Sequence, residues 1–185
     1  MSQILIKTTV TKWAAIAIVL LQGILAGHSA MGQDGRLGLA QMQKLKHWVG
    51  AWEGTGWQMQ PSGQRVEFNV SESVESKLNG MILMVEGKGM SEGSDELGND
   101  AMGMIYYNLD NKRYEFHSAT MQGMTTLAEA KIDSEGNLIW GFEVPQGKVQ
   151  FTITLTEDTW VEKGAFSPDG STWYPTMEMQ LKKVR

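Results

Sequence analysis

The chain has 185 residues, with 21 Asp and Glu against 16 Lys and Arg, a formal net charge of −5 at pH 7 and no cysteine. Nucleic acids and anionic membrane surfaces are bound through clustered Lys and Arg, so an acidic chain without a basic cluster argues against both partners. The absence of cysteine excludes disulfides, thiolate metal sites and thiol catalysis.

Residues 1–32 have the pattern of a cleavable signal peptide. Lys7 and Lys12 form a basic segment without acidic residues, and the apolar run WAAIAIVLLQGILAG follows directly. Ala30 and Gly32 are small residues at the −3 and −1 positions of a cut after Gly32. The apolar run has 15 residues, whereas a membrane-spanning helix needs about 20. We therefore expect an exported protein, periplasmic or secreted, that is not stably inserted in a membrane after cleavage.

The rest of the chain is predicted to have two parts. Residues 33–38, QDGRLG, are predicted as a linker, and residues 39–185 as one domain. Apolar residues recur near helical spacing over Leu39–Val49, which predicts a short amphipathic helix. Beyond Gly50 no helical pattern of useful length recurs.

Short runs with alternating apolar and polar residues dominate the rest of the chain and predict strands. The predicted strands are Ala51–Met59, Gln64–Lys77, Met81–Met90, Met102–Asn108, Arg113–Met121, Thr125–Ile132, Leu138–Val144, Lys148–Thr156, Thr159–Phe166 and Thr172–Val184. Asn79-Gly80 favours a type I′ hairpin, and most other separators are equally compact. Ser91–Asp100 is long and polar and is predicted as a mobile loop.

Tight turns between successive strands exclude parallel crossovers, which need a dozen or more residues. A long meander leaves two exposed edges unless it closes on itself. We therefore predict an all-β fold, an up-and-down antiparallel barrel of about ten strands, with the short N-terminal helix capping one end.

The stretch HWVGAWEGTGW, residues 47–57, combines three tryptophans with three glycines. In a strand, Trp52, Gly54 and Gly56 share one face. The missing side chains leave room for a bulky group and allow the strand to bend, as a barrel corner requires. Trp52 is therefore expected to plug the closed end of the barrel beneath the helix.

A short helix, a Gly-x-Trp and an antiparallel meander in this order resemble the calycin group, which contains lipocalins, fatty-acid-binding proteins and nitrobindins. WVGAWEGTG is most similar to the nitrobindin branch, with Gly50, Trp52 and Gly54 matching its G-x-W-x-G. SPDGSTWYPTMEM, near the end of the chain, resembles an uncharacterised family of exported bacterial proteins with lipocalin-like barrels. That second resemblance covers nearly the whole of residues 33–185.

The lipocalin resemblance implies that a basic residue of the last strand covers the tryptophan. Lys182, Lys183 and Arg185 are equal candidates. The nitrobindin resemblance implies a haem held by a histidine near the C-terminus, and residues 172–185 contain no histidine. Haem is therefore kept as an alternative cofactor only, and otherwise no cofactor is expected.

His117 is the candidate cofactor-contacting residue, although its direction depends on strand register. If the aromatic neighbours Tyr114 and Phe116 point into the barrel, His117 points outward, and a shift of one residue reverses this. His47, on the predicted helix, is expected to be a surface or capping residue.

Eleven of the 13 methionines lie beyond residue 32, and three interpretations compete. Methionine fills irregular gaps in a core, it lines deformable apolar cavities, and its thioether binds Cu(I). The sequence has no cluster of His and Met within a short segment, which disfavours the copper interpretation.

No catalytic residue is assigned, because the chain lacks G-x-S-x-G, H-E-x-x-H and P-loop motifs. Several glutamates fall within predicted strands. One that faced the interior would be desolvated and would have a raised pKa, which would make it a candidate for function. The sequence alone does not identify which of these glutamates faces inward. The glutamates within predicted strands are Glu72, Glu75, Glu86, Glu115, Glu129, Glu143 and Glu178.

The function that the sequence favours is a non-enzymatic exported module that binds a small apolar or amphipathic ligand inside its barrel. Six residues are predicted to line the ligand site: Trp52, Trp57, Trp140, Trp173, Met177 and Met179. Two alternatives remain open, a nitrobindin-like haem protein acting on reactive nitrogen species and a structural or interaction domain with a filled core. The oligomeric state is left open.

Overall fold

The computed structural model describes residues 32, 34–91, 93 and 97–184. The predicted signal peptide therefore lies outside the described residues, apart from Gly32. Within the part that is described, no helix combines the length and apolar character needed to cross a membrane. By its internal contacts the chain divides into Met1–Leu37 and Gly38–Arg185.

The backbone is α-helical over residues 34–42, and a 3₁₀ helix continues over Gln43–Trp48. Residues 34–38, predicted as part of a linker, are thus helical. Asp34 lies in the N-terminal part of this helix, where an acidic side chain is favourable, and Arg36 Nε donates a hydrogen bond to the Gly32 carbonyl at 2.7 Å. Two glycines in QDGRLG hid this helix from the sequence pattern.

Ten antiparallel strands follow, and they form one closed barrel in which β1 pairs with both β2 and β10. The predicted fold class is confirmed. The strands are β1 Gly50–Met59, β2 Arg65–Lys77, β3 Ile82–Ser91, β4 Leu97–Asn108, β5 Arg113–Thr120, β6 Thr125–Ile132, β7 Leu138–Val144, β8 Gly147–Leu155, β9 Thr159–Ser167 and β10 Tyr174–Lys183.

Two connections differ from the predictions. Asn79 and Gly80 have positive φ angles of 56° and 91°, but Leu78 is also positive at 49° and Lys77 pairs with Ile82. The loop therefore has four residues rather than the two of a type I′ hairpin. Secondly, β4 begins at Leu97, inside the predicted mobile loop.

The closed end of the barrel is packed by tryptophans. Trp52 is fully buried, and its Nε1 donates a hydrogen bond to the Trp48 carbonyl at 2.9 Å. The Trp160 ring meets both of them edge to face, with centroid distances of 5.1 Å to Trp48 and 5.9 Å to Trp52. Such T-shaped pairs suit the aromatic quadrupole. Trp52 thus plugs the barrel beneath the helix, and of the three basic candidates Lys183 lies over its ring.

Gly54 and Gly56 allow atoms of the two neighbouring strands to pack closely against the backbone of β1. A Cβ on Gly54 would lie 2.9 Å from the Leu181 Cα of the neighbouring strand. A Cβ on Gly56 would lie 2.6 Å from Cζ of Phe68. The room left by the glycines is therefore filled by the chain itself, which lets β1 curve against β10 and β2.

Candidate functional site

Cross-strand pairing fixes which side chains face the barrel interior, because directly paired residues point to the same face. Trp52 pairs with Glu72 on β2, and Met179 of β10 pairs with Glu162 on β9. Since Trp52 and Met179 are buried in the core, Glu72 and Glu162 face inward. Among the described strand residues, they are the two carboxylates on the inner face.

Burial raises the pKa of both interior carboxyls. Glu162 is 6% exposed, and desolvation raises its pKa to about 7. The pKa of Glu72 rises to about 8, first because of desolvation and then because of repulsion from Glu162. Glu72 is enclosed by protein atoms on most sides yet keeps some accessible surface. We attribute that surface to the barrel interior, because register directs the side chain there.

Two indole N–H groups lie next to Glu162 and partly offset the rise of its pKa, those of Trp140 and Trp160. Neither N–H reaches full hydrogen-bond geometry with an acceptor in the described part of the chain. They therefore act on the carboxyl as nearby dipoles, and both are buried donors without a close acceptor. We call Glu72, Glu162, Trp140 and Trp160 the polar node.

Gly87 makes room for the Glu72 carboxyl. The two residues are paired across β2 and β3, and a Cβ on Gly87 would lie 2.6 Å from Glu72 Oε2. Any larger residue at this position would force the carboxyl to move. The local sequence Glu86-Gly87-Lys88 thus places its one residue without a side chain on the inner face.

An aromatic wall adjoins the polar node. The Trp140 ring stacks on Phe151 at a centroid distance of 4.2 Å and an interplanar angle of 14°. Phe116 meets Trp140 edge to face at 4.8 Å, and Phe142 lies 6.3 Å from it. The indole of Trp140 therefore belongs to both features, since its ring joins the aromatic wall and its N–H joins the polar node.

The barrel wall is open beside this aromatic wall. The paired residues of β6 and β7 begin with Ile132 opposite Leu138 and end with Glu129 opposite Gly141, and pairing extends no further. The other halves, residues 125–128 and 142–144, diverge and leave a gap that we call the β6–β7 gap. A cavity of about 1210 Å³ lies there, which exceeds the size of ordinary small-molecule pockets, ~300–1,000 Å³.

Residues from both faces of the wall line this cavity. Trp140, Phe142 and Val149 come from the inner face. Charged residues of the outer face surround the opening; they are Arg113, Glu129, Lys131, Glu143 and Lys148. An apolar group that enters through the gap would thus pass the charged residues at the opening and then contact aromatic rings.

Five of the six predicted ligand-lining residues fall in three places. Trp140 and Trp173 line the cavity, and Trp173 is 37% exposed at its mouth. Met177 and Met179 lie on the inner face of β10, and Met177 packs near Gly164. Trp52 is the plug of the closed end.

Trp57 lies on the outer face, apart from the other five. It pairs with Glu67 and Glu178, and the guanidinium of Arg65 lies 4.4 Å from its ring centroid. Trp57 directly follows the inward Gly56, so the alternation of β1 places it outside. It has no route to the interior.

His117 also projects from the outer face. Its neighbours Tyr114 and Phe116 are buried inside the barrel, and His117 Nε2 lies 3.2 Å from the hydroxyl of Tyr106 on the outer wall. His47 is exposed on the 3₁₀ helix. Neither described histidine faces the interior, so neither is placed to ligate a haem in the barrel.

Glu162 is a candidate functional residue that the sequence analysis missed. A usable signal was present, since Trp160, Glu162, Gly164 and Phe166 share one face of the strand predicted over TWVEKGAF. A glutamate on the same strand face as a tryptophan and a phenylalanine is a candidate for the interior. The β6–β7 gap had no signal, because both strands look regular in sequence.

Comparisons with known proteins find the fold and no sequence family. No protein-family model matches the chain, and no curated protein matches it in sequence. The crystal structure of Rv2717c from M. tuberculosis is similar with a TM-score of 0.64 at 13% identity, covering 78% of this chain and 97% of that one. The S-type phycobiliprotein lyase CPES from Guillardia theta gives a TM-score of 0.54 at 11% identity, covering 81% and 94%.

The chain has a calycin-like, ten-stranded barrel fold. Similarity at these identities concerns the fold alone. Activity has to be argued from the interior and the surface of this barrel, since a fold hosts many unrelated functions.

Proposed function

We propose that this calycin-like barrel is an exported module that binds a small apolar or amphipathic molecule. The observation that carries the proposal is the β6–β7 gap, where a cavity of about 1210 Å³ exposes the inner-face residues Trp140 and Phe142. Aromatic surface that stays accessible in a concave site favours an apolar ligand, whose burial removes both surfaces from water.

The aromatic wall supplies the apolar contact. Trp140, Phe142 and Phe151 are mutually within 6.5 Å between centroids and keep part of their surface accessible. A flat or chain-like apolar group can stack on these rings, which hold their positions through contacts with one another. The site is therefore formed before any ligand arrives.

The polar node selects the polar end of an amphipathic ligand. Glu72 and Glu162 face the interior. Among the described residues of the inner face, Lys183 is the one cation, and its ammonium group donates a hydrogen bond to the His47 carbonyl at the closed end. A ligand that carries a hydroxyl or an amine satisfies these carboxyls. A ligand carboxylate would place a further acidic group beside two carboxyls whose ionisation burial already disfavours, which is unfavourable in a buried site.

Fluorescence titration with N-phenyl-1-naphthylamine, a neutral apolar probe, tests the binding function. We expect saturable binding to the full chain at one site. Trp140→Leu and Phe142→Ala should each weaken binding about tenfold, corresponding to about 1.4 kcal/mol of lost stacking and contact area. Trp57→Leu is the matched control on the outer face and should bind as the wild type does.

Competition against bound probe then tests the polar end. Decanol and decylamine should displace the probe at lower concentration than decanoate. Absence of saturable binding in the wild type would remove the proposed function. Equal binding by Trp140→Leu, with the fold intact by circular dichroism, would show that the ligand binds elsewhere.

Export is the second element of the proposal, supported by the basic, apolar and small-residue pattern of residues 1–32. Expression of the full chain in a bacterium with an export system should yield a product that begins at Gln33. Intact mass and N-terminal sequencing of the periplasmic fraction would show this. A full-length product confined to the cytoplasm would contradict it.

A further inference from the structure

Three strands bring two methionines and a histidine side by side on the outer wall. Met84 of β3 pairs with Met104 of β4, and Met104 pairs with His117 of β5. Directly paired residues on one face have Cβ atoms ~4.5–5.5 Å apart. The sulfur atoms and the imidazole therefore share one small area of surface, although 33 positions separate Met84 from His117 in sequence.

The same residues line a groove of about 410 Å³. Met102, two residues before Met104 on the same face, lines it as well and is 48% exposed. Met84, Met104 and His117 are partly exposed. The thioethers on this face are thus accessible to solvent, unlike methionines that fill a core. Core filling does not account for them.

A hydrogen-bond chain orients the imidazole of His117. The Tyr106 hydroxyl donates to Glu115 Oε2 at 2.7 Å, which commits its single proton. The Tyr106 oxygen then accepts from Nε2–H of His117, at 3.2 Å. This arrangement places the proton on Nε2 and leaves the lone pair on Nδ1.

Histidines that bind metals characteristically donate their other ring N–H to an acceptor oxygen, such as that of a carboxylate, a backbone carbonyl or water. In this protein the acceptor oxygen is the Tyr106 hydroxyl. Glu115 is itself held by Asn108 and Asn111, at 3.0 and 2.9 Å. The chain Glu115–Tyr106–His117 therefore fixes both the tautomer and the ring plane. The ring centroids of Tyr106 and His117 lie 5.8 Å apart, which restricts the ring further.

We propose that Met84, Met104 and His117 bind a soft monovalent metal ion, Cu(I), on the outer wall of the barrel. Thioether and imidazole donors suit Cu(I), whereas harder divalent ions prefer oxygen ligands. The groove itself is lined by thioethers, imidazole, hydroxyls and apolar side chains, with no carboxylate. Met102 is placed to supply a further thioether from the same face.

Isothermal titration of the full chain with Ag(I), a redox-inert substitute for Cu(I), in chloride-free buffer tests the site. We expect one equivalent to bind, with native mass spectrometry showing one added silver ion. In a protein with ¹³C-labelled methionine methyl groups, the methyl signals of Met84 and Met104 should shift on addition. Anaerobic competition with bicinchoninate should show the same stoichiometry for Cu(I).

Leucine and alanine replacements separate the site from the rest of the protein. Met84→Leu, Met104→Leu and His117→Ala should each weaken Ag(I) binding at least about tenfold, the loss of one metal ligand. Met59→Leu and His47→Ala, on other parts of the outer surface, are matched controls and should leave binding unchanged. Leucine conserves the volume of methionine, so folding should be preserved.

Tyr106→Phe tests the orienting chain separately. It removes the acceptor of Nε2–H and should weaken Ag(I) binding several-fold while leaving the stoichiometry at one. Silver binding that persists in Met84→Leu/Met104→Leu/His117→Ala, or that shifts the methyl signals of Met177 and Met179 instead, would overturn the proposal. So would an absence of Ag(I) binding in the wild type, which would leave these residues as an apolar patch.

Discussion

The ammonium group of Lys183 lies 4.8 Å from the centroid of the Trp52 ring and donates a hydrogen bond to the His47 carbonyl at 3.0 Å. This one side chain joins the last strand, the first strand and the helix. It closes the barrel where β1 and β10 meet, over the residue that plugs the interior.

Lys183→Met should therefore lower the free energy of unfolding by about 1 kcal/mol. A cation over a tryptophan face contributes about 0.5–2 kcal/mol, and the carbonyl of His47 loses its donor. Urea unfolding followed by tryptophan fluorescence measures the change. Lys182→Met, on the exposed outer face of the same strand, is the control and should change stability by less than about 0.5 kcal/mol. Equal effects of the two substitutions would refute the assigned role of Lys183.

Gly54→Ala and Gly56→Ala should destabilise the barrel by at least about 2 kcal/mol, because overpacking strains the backbone. At Gly54 the obstacle is backbone, the Leu181 Cα at 2.9 Å, and at Gly56 it is the ring of Phe68 at 2.6 Å. Gly89→Ala is the matched control on the inner face, since the nearest atom would be Asn99 Cβ at 3.6 Å. Urea midpoints of the three variants give the comparison, and a Gly54→Ala protein as stable as Gly89→Ala would contradict it.

Local sequence signals were sufficient for the barrel itself. Thr125–Ile132 and Leu138–Val144 begin and end where predicted. Period-two alternation defines a strand, and compact turns impose antiparallel neighbours. Closure then follows from the need to cover the two edges.

Which face of a strand points inward was harder to predict. In β5 the alternation separates Tyr114 and Phe116 from Glu115 and His117, but it is symmetrical until the strand is paired. Tyr114 and Phe116 are inside because they are continuous with the core through Ile105 and Ala128. The orientation of His117 is a consequence of this pairing.

Sites that are built from residues of several strands could not be predicted from local sequence patterns. The polar node joins β2, β7 and β9, and the proposed metal site joins β3, β4 and β5. Each needs the register of several strands, which is set by the closed barrel as a whole. The β6–β7 gap depends on where two regular strands diverge, and no residue in either strand signals it.

Tyr114→Phe should reduce the free energy of unfolding by about 1 kcal/mol, the usual value of one hydrogen bond. The Tyr114 hydroxyl donates to the Gln41 carbonyl at 2.9 Å and so ties β5 to the helix. Its phenol is buried, and this burial, with repulsion from Tyr107, raises its pKa to about 12. Tyr174→Phe, where the ring is 54% exposed, is the control. If amide exchange in residues 38–48 were equally fast in both variants, Tyr114 would not anchor the helix.

Stability should fall as pH rises above 4.5, because of Glu72 and Glu162. Their pKa values are about 8 and about 7 in the folded protein, against an ordinary value of 4.5. Between pH 4.5 and these values the folded chain keeps protons that the unfolded chain has lost, so the unfolded state is favoured increasingly. The slope is at most about 1.4 kcal/mol per pH unit for each group, and it levels off above pH 8.

Glu162→Gln should remove part of this slope by itself and lower the pKa of Glu72, since the charge of Glu162 contributes to raising it. Glu72→Gln/Glu162→Gln should remove the slope due to both groups and make the protein more stable than the wild type at pH 8. Urea unfolding at pH 5, 6, 7 and 8 measures these differences. Glu53→Gln, on the exposed outer face of β1, is the control and should keep the wild-type pH dependence. Unchanged pH dependence in the double variant would mean that neither carboxyl is desolvated, and the polar node would then be open to bulk water.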